Sequence, residues 1–112
     1  MEIILNKVRE YILLKIKEEA ENSEIYGVHG INKENLNEHL VFPSKEKYVD
    51  VDSNDTIYLW TVLEENPKEK DGYTIVFDED CNDFGLGMHT KNGLMYLGKF
   101  VGSSFVETLN AM

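Results

Sequence analysis

Cysteine is almost absent. Cys81 is the single one among 112 residues, so no internal disulfide can hold the fold, and a reducing cytoplasm is the expected setting. Proline is nearly as scarce: Pro43 and Pro67 are the two in the chain, one at an expected break and one in a charged loop, with no linker or low-complexity tract between them. No apolar run approaches the roughly 20 residues needed to span a bilayer. The opening MEIILNKVREYILLK is interrupted by Asn6, Lys7, Arg9 and Glu10, and no small-residue cleavage site follows it. Neither a signal peptide nor a membrane anchor is therefore expected. Bases are missing from the middle. Residues 21–83 hold sixteen acids against five bases, whereas residues 1–20 balance four of each and residues 84–112 carry Glu107 against Lys91 and Lys99. The formal charge of −10 is thus concentrated in one stretch. Such a field repels nucleic acid and anionic membrane, and it attracts basic partners.

What is present suffices for one domain with a real core. Hydrophobic residues make up 42% and aromatics 11%, well above the composition of a disordered chain, and the length is near the commonest domain size. Ile4, Leu5, Val8, Tyr11, Ile12 and Ile16 recur at spacings of three and four, which predicts an amphipathic N-terminal helix fading after Ala20. The period then changes to two. Strands are expected at Ile25–His29, Leu40–Phe42 (ending at the Pro43-Ser44 break), Lys47–Val51, Ile57–Leu63, Tyr73–Asp78, Phe84–Thr90 and Leu94–Phe100. Asn92-Gly93 between the last two is a strong hairpin signal. Ser104-Phe105-Val106-Glu107 fits a capping box, opening a short closing helix that must dock on the sheet, because so short a helix is not stable alone. The expected fold class is α+β: an N-terminal amphipathic helix, an antiparallel meander sheet of about five to seven strands, and a short C-terminal helix packed on the sheet, all in a single domain over residues 1–112.

One six-residue pattern occurs twice. Asp50-Val51-Asp52-Ser53-Asn54-Asp55 and Asp78-Glu79-Asp80-Cys81-Asn82-Asp83 both read D-x-D-x-N-D. Oxygen donors at positions one, three and five are how a calcium loop begins. The match then fails, because position six is aspartate rather than glycine and position twelve is Thr61 or His89 rather than glutamate. The commoner explanation is a pair of Asx-type turns.

Phe84, Leu86 and Met88 alternate with Gly85, Gly87 and His89. If Lys91 pairs with Leu94, then Gly87 faces Gly98, His89 faces Tyr96 and Gly85 faces Phe100. Gly85, Gly87, His89, Tyr96 and Gly98 then outline a shallow ligand groove, unless a helix or an aromatic side chain fills the stripe. The histidines His29, His39 and His89 have no metal-ligand spacing. Cys81 lies among acids, a poor setting for a nucleophilic thiol. Ser103 and Ser104 sit in no G-x-S-x-G elbow and are better explained as helix caps. Tyr58 and Trp60 share one strand face, as core or as an exposed anchor.

These observations lead to an expectation of a non-catalytic acidic protein that engages a basic protein partner, with no nucleic acid, no membrane and no cofactor. In character it is like inhibitors that cover the nucleic-acid surface of a toxic nuclease. The partner-binding candidates are Asp50, Asp52, Asp55, Asp78, Asp80 and Asp83, with Tyr58 and Trp60 as anchors. A small-ligand or divalent-cation module is the alternative, and no metal ligands are assigned.

Overall fold

The computed structural model describes residues 2–99 and 104–112. Helix α1 (Glu2–Asn22) leads through a 3-10 turn (Val28–Gly30) and a single helical turn, α2 (Leu36–His39), into five strands. These are β1 (Leu40–Asp50), β2 (Thr56–Asn66), β3 (Asp71–Asp78), β4 (Asp83–Thr90) and β5 (Gly93–Gly98), and helix α3 (Phe105–Asn110) closes the chain. Each strand pairs antiparallel with the next. In a meander of five strands the first and fifth run in the same direction, so closure requires a parallel pair. β1 and β5 make that pair through Val49↔Met95 and Asp50↔Tyr96, and the sheet becomes a closed barrel. Closure joins the two edges of the meander at this short stretch, Val49–Asp50 against Met95–Tyr96.

Strand alternation divides the buried side chains between two cores. Tyr48, Leu59, Val76 and Tyr96 fill the barrel interior. Trp60, Leu63, Ile75, Phe77 and Phe84 face outward and meet Ile12 and Ile16 of α1, Leu36 of α2, and Phe105, Val106 and Leu109 of α3. Each large side chain fully withdrawn from water contributes about 1.5–3 kcal/mol, so this outer core binds all three helices to the barrel. The α1 stripe expected from the sequence is seen at Ile12 and Ile16, both buried, with Val8 packed at its margin. The side chains of Ile4 and Leu5, the pairing of Phe100, and Ser103 lie outside the described residues.

Three local expectations are corrected. Ile25–His29 is not a strand: Gly27, His29 and Gly30 all have φ between 55° and 81°, which an extended chain cannot accommodate. Pro43 does not end a strand. β1 runs through it, and the register shifts between Leu40 and Ser44, so the missing N–H falls at an irregularity, where proline is tolerated. The last hairpin turns over Lys91 and Asn92, with Thr90 opposite Gly93. Asn92 does not have positive φ, whereas Gly93 has φ 114°. This is the pattern of a turn followed by a positive-φ glycine rather than a type I′ turn. The Thr90 hydroxyl accepts from the Asn92 N–H at 3.2 Å and donates to the Gly93 carbonyl at 2.7 Å, fixing it. Gly87 consequently faces Tyr96, His89 faces Leu94, and Leu86 faces Gly98 after a register shift.

Candidate functional site

Antiparallel alternation carries the β1–β2 and β3–β4 turns to the same end of the barrel. These turns are the two D-x-D-x-N-D segments, and they fold alike. The Asp50 carboxylate accepts from the backbone N–H groups of Asp52 and Ser53 at 2.8 and 3.2 Å. Asp78 accepts from those of Asp80 and Cys81 at 3.1 and 3.4 Å. Position five is in the left-handed region in both, with φ 61° at Asn54 and 56° at Asn82, a conformation asparagine tolerates better than most residues. Each repeat is thus an Asx turn with a left-handed asparagine, and the shared sequence is explained by shared backbone geometry.

The result is an acidic rim. Asp52, Asp55, Glu79 and Asp80 are exposed, and Asp50, Asp78 and Asp83 are half-buried. Two lysines compensate part of the charge. Lys99 Nζ lies 2.8 Å from Asp83 and 3.7 Å from Asp78. Burial pulls the Lys99 pKa down, but the bond to Asp83 and the surrounding negative charge outweigh it and hold the ammonium above its usual range. Lys45 Nζ is 2.5 Å from Glu79, whose other partner is the Trp60 indole N–H at 3.1 Å. The Lys45 bond, followed by that of Trp60, holds the Glu79 carboxyl below the usual carboxylate range. Asp78, Cys81 and Asp83 offer ligand atoms within 4.8 Å of one another. The Lys99 ammonium already sits against the two carboxylates of that set, where a divalent cation would have to displace it.

The aromatic pair separates. Trp60 is 1% exposed and belongs to the outer core, beneath the Arg9 guanidinium, whereas Tyr58, two residues nearer the rim on the same face, is 61% exposed. The glycine stripe faces the barrel interior. A Cβ at Gly85 would lie 2.8 Å from the Tyr96 ring and hydroxyl, and one at Gly87 would lie 2.6 Å from Thr74 Oγ1 and 2.8 Å from the Tyr48 ring. The space above these two glycines therefore holds tyrosine, as the packing explanation required. Gly98, at φ 110°, has no such neighbour.

The opposite end of the interior carries a polar cluster that sequence reasoning missed. Glu64, 3% exposed, bonds His89 Nε2 at 2.6 Å through one oxygen and Lys70 Nζ at 2.7 Å through the other. The bond to Glu64 raises the Lys70 pKa. The Tyr48 hydroxyl lies 2.6 Å from Thr61 Oγ1 and 3.1 Å from Thr74 Oγ1, and the Thr61 hydroxyl donates to Glu46. Burial is the main influence pushing the Tyr48 phenol up, to about 12. A residue list could not show this cluster, because His89 and Glu64 meet only through the registers of β2 with β3 and β3 with β4. Both oxygens of Glu64 are engaged, so the cluster is a closed set of partners that satisfies buried polar groups.

No known protein family, curated protein or solved structure matches the chain.

Proposed function

We propose that this chain is a non-catalytic binding protein that engages a basic protein partner through its acidic rim, in the manner of an inhibitor or immunity protein that masks a cationic surface. The observation that carries this reading is the placement of both D-x-D-x-N-D turns on one rim, with Asp52, Asp55 and Asp80 exposed. Carboxylates on separate turns of one rim present a field over an area rather than a point. Opposed fields of that kind speed encounter and fix orientation. Tyr58 supplies an exposed aromatic on the adjoining face, of the residue type enriched among interface anchors. The cation alternative is less favoured, because Lys99 occupies the carboxylate pair of the second turn.

The test is charge reversal. Immobilised wild-type protein and an Asp52→Lys, Asp55→Lys, Asp80→Lys variant are compared at low salt against the same native lysate, with a salt gradient for elution. A basic protein retained stoichiometrically by the wild type, released by salt and lost from the variant, supports the reading. Association of the purified pair should then be slower for the variant by about tenfold or more, with a flatter salt dependence. Equal retention by both proteins would show that the rim is not the binding surface.

A further inference from the structure

Helix α1 has a second face that the outer core does not use. Leu14 lies half a turn around the helix from the midline of Ile12 and Ile16 and is 64% exposed. Lys7, Glu10, Leu14, Lys17 and Glu21 recur at spacings of three and four, so they form one stripe, and all five are exposed. Charges at those spacings can pair along a helix, yet among the described residues none of these four takes part in an ion pair. From residue 7 to residue 21 the stripe runs positive, negative, apolar, positive, negative. In the reverse direction every sign inverts. An antiparallel copy of the same helix, crossing at Leu14, therefore sets Lys7 of each chain against Glu21 of the other and Glu10 of each against Lys17 of the other, with the two Leu14 side chains meeting at the axis. Glu18 does not spoil this match, because it lies on the opposite flank of Leu14 from Glu10.

We infer that α1 pairs antiparallel with α1 of a second copy through this stripe, making the protein a weak homodimer about a twofold axis at Leu14. Charge selects the occupant. Two chains of formal charge −10 repel in most orientations, and the acidic rims repel most strongly. On the stripe that repulsion gives way, because its four charges sum to zero and the antiparallel arrangement sets each against its opposite. A parallel pair would oppose like to like, and a uniformly basic or acidic partner would meet two matching and two clashing charges. A twofold interface must be self-complementary, with residue i on j and j on i, and the sign inversion supplies that. One helix face with a single leucine at its centre is smaller than a standard interface, so the expected dissociation constant is on the order of 100 μM. None of these residues is a rim carboxylate, so the inference goes beyond the acidic-rim reading and stands or falls separately from it.

Sedimentation velocity of the full chain, from about 10 μM to about 1 mM, tests this. The average mass should rise from one chain towards two across that range. Leu14→Glu and Lys17→Glu should each weaken dimerisation by about tenfold, because the twofold axis counts every change twice. Both positions are exposed, so each variant should melt at the wild-type temperature in dilute solution. Adding Glu10→Lys to Lys17→Glu restores opposite charges across an antiparallel pair and should return the dimer to within about threefold of wild type. A one-chain mass at every concentration would overturn the inference and leave the face to water or to a different partner. A dimer indifferent to Lys17→Glu, or one that the double swap fails to restore, would overturn the pairing through this stripe.

Discussion

Two residues with almost no surface decide how the barrel interior is filled. Gly87 lies beneath the Tyr48 ring and Thr74 hydroxyl, at distances a side-chain carbon cannot occupy. Neither neighbour can retreat, since Tyr48 is fully buried and bonded to both Thr61 and Thr74. Gly87→Ala should therefore destabilise the protein by about 1–3 kcal/mol, the range for overpacking a filled core. Urea denaturation checks this, the expected result being a lower midpoint at unchanged slope. Tyr48 itself makes stability fall in alkali. Burial raises its pKa from 10.0 to about 12, so the folded state retains the phenolic proton more tightly than the unfolded chain does. The stabilisation is complete below pH 10 and is lost as pH rises from 10 to 12. Two pKa units correspond to about 3 kcal/mol. Urea unfolding across that window should show the decline, and Tyr48→Phe should show less of it while being less stable at neutral pH through loss of the hydroxyl's bonds. A decline as steep in the variant would assign the alkaline loss to other groups.

At the level of elements, the short closing helix shows how far local signals reach. Its start was legible: Ser104 accepts from the Glu107 N–H at 3.1 Å, as the capping pattern implied. The Glu107 carboxylate accepts from the Ser104 hydroxyl at 3.2 Å, making it a partner of the side chain. What no local pattern could show is a second cap from α1. Glu19 accepts from the N–H groups of Phe105 and Val106 at 2.8 and 3.4 Å, across more than eighty positions of sequence. The helix N-terminus thus has two donors satisfied by a carboxylate that also complements the helix dipole. Ser104→Ala and Glu19→Ala should each cost about 1 kcal/mol. Their double mutant should cost less than the sum, because a helix end that frays no longer rewards the remaining cap. Thermal unfolding of the four proteins measures that coupling, and strict additivity would mean the caps act independently. The same division explains the strands. Ile57–Leu63 and Tyr73–Asp78 are legible because alternation and β-branched content agree there, whereas the left-handed backbone at His29 and the register shift beside Pro43 leave no periodic trace in the sequence.

For the whole molecule, the decisive fact is parity. Strands that alternate in direction place every second turn on one rim, so the repeated acidic pattern, visible in the sequence as two distant segments, becomes one surface. Its composition was legible, and so was each turn's Asx character. The core reading of the aromatic pair holds for Trp60, but its separation from an exposed Tyr58 was not legible, because it depends on where α1 and Arg9 lie, and the Glu64–His89 pair depends on two strand registers. Concentrating acids on one rim has a consequence for stability. Lys45 and Lys99 pair with Glu79 and with Asp78 and Asp83, but the exposed Asp52, Asp55 and Asp80 place part of the chain's formal charge of −10 on the same rim. Like charges held together in the folded state separate on unfolding, so their repulsion favours the unfolded chain. Raising ionic strength from about 0.01 to 0.15 M shortens the screening length from roughly 30 to 8 Å, which weakens repulsion across the rim more than it weakens the close lysine pairs. The melting temperature should therefore rise by a few degrees with sodium chloride. An Asp52→Asn, Asp80→Asn variant should melt higher than wild type at low salt and gain less from added salt. Neither asparagine removes a turn bond, because the side-chain acceptors in the two turns are Asp50, Ser53 and Asp78. If salt instead lowered the melting temperature, the lysine–carboxylate pairs would outweigh the repulsion, and the rim would be a stabilising network rather than a net repulsive field.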